Sequence, residues 1–444
     1  MNLWPLLHYH MDTEHRTTKL DAIGPFFTFY SSPLEQRYSL RPFFYVSKDK
    51  EVASTEVEYL FPLGKYRKRE KESYFYLVPL FSSHKDPIDT QGQTYDFGMF
   101  PIFWGKDENG DRYGGLFPIY GKLNHRFGKN QIRFYLWPLY VLSKDEYYTA
   151  HDILWPLLSY TIGENERGFK VWPLFGHHEK EGEFYKDFSL WPIFFKQKKD
   201  LDTNYPKNTK AALPFYLEEK SPKKLSRSIL WPFFNYSNDK KNNYKQWDMP
   251  WPLFQYGKGI ELELFRLFPI YGHKRSTDSK TGYFLFPLYS YNKDKLDDHK
   301  DTTHRVLLIN KYEKKEYKKD SRDEKAIRLW PLFYYNRERE NITKFYFPEV
   351  IPLEDEGFER NLSPLFRLYE FYKDSRGNTE SKLLWWLYRH KKSNTKELFE
   401  IAFLLDYEKK GDRSTFSILK GLFEYKQGKE DKSIKLLYLP WQIK

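Results

Sequence analysis

A five-residue apolar segment centred on proline recurs from one end of the chain to the other, and no other feature restricts the fold so strongly. Copies read LWPLL at Pro5, LRPFF at Pro42, LFPIY at Pro118, LWPLY at Pro138, LWPIF at Pro192 and LWPLF at Pro331. The motif takes up 19 of the 26 prolines. Degenerate copies without proline stand at 306–309, 384–388, 401–405 and 419–423, which makes about 23 units. Neighbouring prolines are mostly 17–22 residues apart, as in 138, 156, 173 and 192, and the residues between them are turn-like, such as SKDEYYTAHD and HHEKEGE. A fixed period of this size marks a repeat architecture. Connections this short leave no room for the crossover helix a parallel pair needs, so successive strands are antiparallel.

One strand per unit predicts an all-β protein: an antiparallel meander of about 23–24 strands, curled into a large roll, barrel or propeller-like closure that hides its edges. Counting by twos from the proline, positions −2, 0 and +2 form a face that is apolar from end to end. Proline then lies in mid-strand, where it forfeits a ladder bond, and a line of prolines would crease the sheet. Eight of the 13 tryptophans directly precede a motif proline, which predicts a row of rings over that crease. The array divides into a main part at 1–300, a charged loop or degenerate unit at 301–326, and a continuation at 327–444 whose degenerate units act as caps. The whole reads as one continuous domain.

A chain that is 20% aromatic can bury a core even though 30% of it is charged. The formal charge of +12 is scattered through the presumed loops, as at Lys240, Lys241 and Lys245. That distribution argues against nucleic acid as a partner and leaves a solvated surface, or an anionic surface or polysaccharide as the thing bound. The absence of cysteine removes disulfides, thiolate metal sites and cysteine nucleophiles together. No apolar run reaches the 18–20 residues or so of a membrane helix, and MNLWPLLHYHMD has neither a basic n-region nor a long h-region. Because Leu3–Leu7 is already a complete motif, the chain could begin where a signal was removed. Periplasm or outer membrane follows in that case, and cytoplasm otherwise.

Catalytic signatures are missing: there is no G-x-S-x-G, H-E-x-x-H, Walker A or G-x-G-x-x-G opening a helix. Hence no catalytic, cofactor-binding or metal residue is assigned, no cofactor is expected, and the chain reads as a non-enzyme. His8 and His10 fall on one face of a strand, the spacing of a metal pair, but without a third ligand they read as a surface pair. His177 and His178 point to opposite faces. Asp107-Glu108-Asn109-Gly110-Asp111 begins like a calcium loop yet lacks the acid at loop position twelve, so it reads as an Asn-Gly hairpin turn. The aromatic row suits core packing better than stacking on sugars or single-stranded nucleic acid.

The sequence of LWPLL, IGPFF, LRPFF and LFPLG, followed by many LWPLF-like units and a closing LLWWLYRH with SILKGLFEY, resembles a group of bacterial repeat proteins rich in WPLF motifs. The resemblance spans nearly the full chain and implies an envelope protein, many members of that group carrying a signal sequence; it supplies no catalytic residues. The expectation is a non-enzymatic structural or binding β-repeat protein associated with the bacterial cell envelope. Two alternatives stay open: an outer-membrane β-barrel acting as a pore or transporter, and a carbohydrate-binding or carbohydrate-active protein.

Overall fold

The computed structural model describes residues 1–13, 16–70, 72–88, 92–319, 323–429 and 431–438. The protein is all-β, an antiparallel meander of 45 short strands in a single sheet, with two helical pieces, Glu356–Asn361 (α1) and Ser363–Phe366 (α2). From Asn2–Leu3 to Glu72–Leu77, from Phe81–Ile88 to Ser279–Phe284 and from His299–Val306 to Lys432–Leu436, each strand pairs with the one that follows it in sequence. Among the described residues the first strand, Asn2–Leu3, pairs only with Leu7–Asp12, and the last, Lys432–Leu436, only with Phe423–Gln427, so the sheet does not close on itself. Two compact units result: one made of Met1–Pro79 with Lys293–Lys444, the other of Leu80–Asn292.

The strand number is about twice the expected 23–24, and the reason is local. The motif is a turn rather than the middle of a strand. Lys129–Tyr135 and Tyr140–Lys144 are separate strands, paired Tyr135 to Tyr140, and Leu136-Trp137-Pro138-Leu139 joins them. Each 17–22-residue period is therefore a hairpin, and proline gives up no ladder bond because it is not in the ladder. The Trp137–Pro138 peptide is cis, as at most motif prolines, and Leu139 N donates to Leu136 O at 2.8 Å to close the turn. Leu136 N donates to Ile119 O at 2.6 Å and Trp137 N to Pro118 O at 2.7 Å, both in the preceding motif turn. The next turn repeats the pattern: Leu154 N bonds Leu139 O, Trp155 N bonds Pro138 O, and Leu157 N bonds Leu154 O. Every N–H in these turns has a protein acceptor, and the residue without an N–H sits where none could be used.

Copies lacking proline turn differently. Leu307 and Leu308, Leu384 and Trp385, and Leu419 and Lys420 are consecutive left-handed residues, and at 418–421 they form a type I′ turn in which Gly421 N donates to Ile418 O at 3.2 Å. Two proline copies are not strand turns at all. Pro352 and Pro364 lie in a segment, 348–368, that replaces the turn between Thr343–Phe347 and Tyr369–Lys373, strands that pair Phe347 to Tyr369. α1 and α2 belong to this insertion, with Asp355 Oδ1 accepting from Gly357 N and Phe358 N at the start of α1.

The turns also reset the side-chain alternation, which corrects the face assignment made through the proline. Numbering rows outward from the motif turn, the first row runs Tyr135, Tyr140, Ile153, Leu158, Val171, Phe175, and the third row on the same face includes His151, Tyr160 and Phe169. The second row lies on the other face and runs Phe134, Val141, Asp152, Ser159, Lys170, Gly176. Tryptophans of the motif cover this second face beside the turns. Trp137 meets Phe117 at 5.2 Å and Trp155 at 6.0 Å, and Trp191 meets Phe188 at 5.9 Å and Phe195 at 5.6 Å. Gly176 is required there, since a Cβ would stand 2.2 Å from the Phe188 ring.

Candidate functional site

The two faces differ in kind along the whole meander. Nearly every exposed large apolar side chain within a strand belongs to the face of rows one and three, Tyr74 and Tyr372 being departures. Phe169 is 51% exposed and Ile229 61%. Stacks run across strands on this apolar face: His151 with Tyr160 at 4.5 Å, Tyr236 with Trp247 at 5.5 Å, and Phe265 with His273 at 6.0 Å. The row is interrupted by Asp187, Lys196, Lys210, Glu218 and Arg227. Motif turns add an apolar edge, with Leu136, Trp155, Leu174, Trp231 and Leu253 all exposed. Total accessible surface is 28,423 Å², where a globular chain of this mass would expose about 18,000 Å².

The opposite face buries polar groups. Asp21, Ser39, Glu58, Asp152, Ser228, Asp248, Gln255, Arg389 and Glu400 are all buried, and each stands in the second row. Asp248 is satisfied across strands, where Asn235 Nδ2 donates to its Oδ2 at 3.3 Å and Gln255 Nε2 to its Oδ1 at 3.1 Å.

In the unit made of the two chain ends, this polar face carries an ionic cluster organised by the 348–368 insertion. Arg360 Nη2 donates to Glu58 Oε1 at 2.5 Å, Asn361 Nδ2 to Glu58 Oε2 at 2.6 Å, and the Phe358 ring meets Phe61 edge-on at 5.1 Å. Arg367 reaches Glu349 at 3.2 Å and also pairs with Glu359. Burial pushes the Glu349 carboxyl up and Arg367 pulls against it. At Glu380 burial also favours the neutral acid, but Lys382, Arg389 and Lys19 win and hold it low. Beside the cluster is a cleft of about 850 Å³ lined by, among others, Arg37, Arg41, Tyr45, Arg328, Tyr334 and Glu349. The chain ends are joined here as well: Asn2 Nδ2 donates to Trp386 O at 2.9 Å, Trp4 Nε1 to Leu384 O at 3.0 Å, and His8 stacks on Trp386 at 5.4 Å.

His8 and His10 do share a face, but it is the polar interior face rather than a surface. His8 is buried against Asp21 at 3.7 Å, and burial together with Arg389 and Lys391 holds His10 down to about 4. Cations on that side oppose a metal ion. His177 pairs with Asp187 at 2.7 Å and His178 with Glu166 at 2.8 Å on opposite faces. Asp107 folds its carboxylate back onto Asn109 N and Asp111 N, the hairpin turn expected of that stretch. The stretch 301–326 holds the hairpin His299–Val306 and Asn310–Tyr317, turned by the proline-less copy at 307–309.

One feature escaped the sequence reading. The fifth row of the apolar face is a line of cations: Lys144, Lys198, Lys220, Lys245, Lys258 and Lys280 lie in it, with Glu179 and Glu263 its carboxylates between Tyr95 and Lys280. In the other unit the same row holds Lys314, Lys325, Arg337, Lys373, Lys392 and Lys409, against Glu397. Its signal was present, for Lys48, Lys68, Lys144, Lys198, Lys220, Lys258 and Arg275 each stand six residues after a motif proline. No helix among the described residues is long and apolar enough to cross a membrane. No family model matches the chain, and no curated protein matches it.

Proposed function

We propose that this is a non-enzymatic structural and binding β-repeat protein of the bacterial envelope, and that its binding surface is the apolar face together with the motif-turn edge. The observation that carries the reading is the sidedness of the sheet. Exposed apolar side chains gather on one face while buried polar groups gather on the other, the reverse of what a sheet protecting its own core would do. Charged groups on the polar face are largely consumed in pairing one another, which supports a structural rather than catalytic role for them. The pore-forming alternative has the same alternation in its favour, but each described strand is eight residues or shorter, where a spanning strand needs about 9–11.

The test is behaviour in solution. Purified in buffer without detergent, the chain is expected to self-associate and to bind a fluorescent apolar-surface dye; mild detergent should give a single monomeric species and displace the dye. A monodisperse monomer that binds no dye in buffer would refute the reading.

A further inference from the structure

We infer that the unit Leu80–Asn292 docks on the surface of an anionic lipid bilayer, with its motif-turn edge entering the apolar part of one leaflet and the fifth-row cations meeting the headgroups. This rests on the reading of the apolar face as the binding surface and names what that surface binds.

Three independent features agree. The first is charge. Lys144, Lys220, Lys245, Lys258 and Lys280 are exposed and have no carboxylate within 4.0 Å among the described residues, whereas charges on the polar face occur in both signs and pair with one another, as Lys170 does with Asp152 and Arg360 with Glu58. A row in which cations far outnumber carboxylates, along one margin of an apolar face, is the complement of an anionic surface, and lysine stems can lie along apolar side chains while the ammonium stays wet.

The second is depth. First and fifth rows are four residues apart, about 13 Å along a strand. With the turn beyond the first row, the distance from cations to turn tips is about that of one leaflet, half of a hydrocarbon core of roughly 30 Å. Tyrosines and tryptophans such as Tyr160, Tyr256 and Trp247 occupy the level between, where amphipathic rings favour a lipid interface.

The third is the backbone. A turn entering hydrocarbon must leave no N–H unpaired. Those of Leu136, Trp137 and Leu139 all have protein acceptors, as do those of Leu154, Trp155 and Leu157, and Pro138 and Pro156 have no N–H to satisfy. An ordinary polar turn would have to be dehydrated to enter lipid; the turns at Pro138 and Pro156 arrive already bonded.

The experiment is flotation of the full chain with vesicles of neutral phosphatidylcholine, with vesicles containing 30% phosphatidylserine by composition (~30%, enough for a strongly negative surface), and with dodecyl maltoside micelles. The variants are a triple Lys220→Gln/Lys245→Gln/Lys258→Gln on the apolar face, and a control triple Lys186→Gln/Lys199→Gln/Lys274→Gln of equal net charge on the polar face. Expected are preference for the anionic vesicles, on the order of a hundredfold weaker binding of the first triple at low salt, at most a few-fold change in the control, and loss of the difference at high salt. Tryptophan emission should shift to the blue and be quenched by lipids brominated along the chains. Binding to micelles without preference for anionic vesicles, or equal loss in the two triples, or unquenched tryptophans, would overturn the lipid assignment and leave the apolar face as a binding surface. Binding to neither micelles nor vesicles would overturn both.

Discussion

Replacing Arg360 by methionine is expected to release the 348–368 insertion from the strands it covers. Glu58 is 1% exposed in its side chain and Arg360 23%, and they meet at 2.5 Å. Removing one partner of a buried pair costs about 3–5 kcal/mol because the other charge is left uncompensated. Asn361 remains on Glu58 at 2.6 Å and Lys65 at 3.7 Å, so Arg360→Met should fall near the lower limit, about 3 kcal/mol. Glu58→Leu should cost less, about 2 kcal/mol, since Arg360 keeps Glu56 at 3.1 Å and Glu356 at 3.7 Å. The double variant carries no orphaned charge and should lose at least about 2 kcal/mol less than the sum of the singles. Urea unfolding read by hydrogen exchange at the amides of 356–361 measures all three. A cost under about 1 kcal/mol for Arg360→Met, or strict additivity in the double variant, would show that the cluster does not hold the insertion down.

Other perturbations address other parts of the sheet. Gly176→Ala puts a methyl into the Phe188 ring and should destabilise the Leu80–Asn292 unit by about 1–3 kcal/mol in thermal unfolding; an unchanged midpoint would mean the ring moves freely. His10 takes its proton near 6.5 when unfolded but only near 4 when folded, so folded protein binds fewer protons in that window and stability falls as pH drops from about 6.5 to 4. His10→Asn should flatten that slope by about 1–2 kcal/mol, and an unaltered slope would refute the assignment. Deleting 139–156 fuses Pro138 to Leu157, recreates the native LWPLLSY and preserves strand direction, so the product should fold with an undiminished β-type circular dichroism signal per residue. Deleting 145–153, a single strand with its turn, reverses everything downstream and should leave aggregates; equal outcomes would contradict the hairpin period.

Class, antiparallel order and absence of a crossover were legible because spacing forbids anything else. Strand number was not, because apolar residues on both sides of a proline read the same whether the chain continues straight or reverses. Leu136 at φ 47° and Leu154 at φ 51° are the decisive departures, and bulky residues give no warning of left-handed backbone. Misplacing the turn also exchanged the faces: counting by twos from Tyr140 back through Pro138 and Leu136 puts Phe134 on the face of Tyr140, whereas it pairs with Val141 on the other. The cationic row was hidden for the same reason, since a lysine six residues after proline has no evident side until the turn fixes the phase. Nor could the insertion be foreseen, for VIPLE at Pro352 and LSPLF at Pro364 keep the proline and the leucine after it that mark the motif, while the chain around them carries α1 and α2.

The joining of the chain ends has a mechanical consequence. Because Asn2 bonds Trp386, Trp4 bonds Leu384 and Arg360 bonds Glu58, the chain from residue 61 to 357 is a loop fastened at its base. Tension applied to the two termini is borne by those fastenings before it reaches Leu80–Asn292. Once they part, each hairpin meets the load singly, its bonds breaking one after another from the open end. Drawn out at constant speed, the molecule should give one higher rupture and then a long train of low, evenly spaced ones, each releasing a period of 17–22 residues.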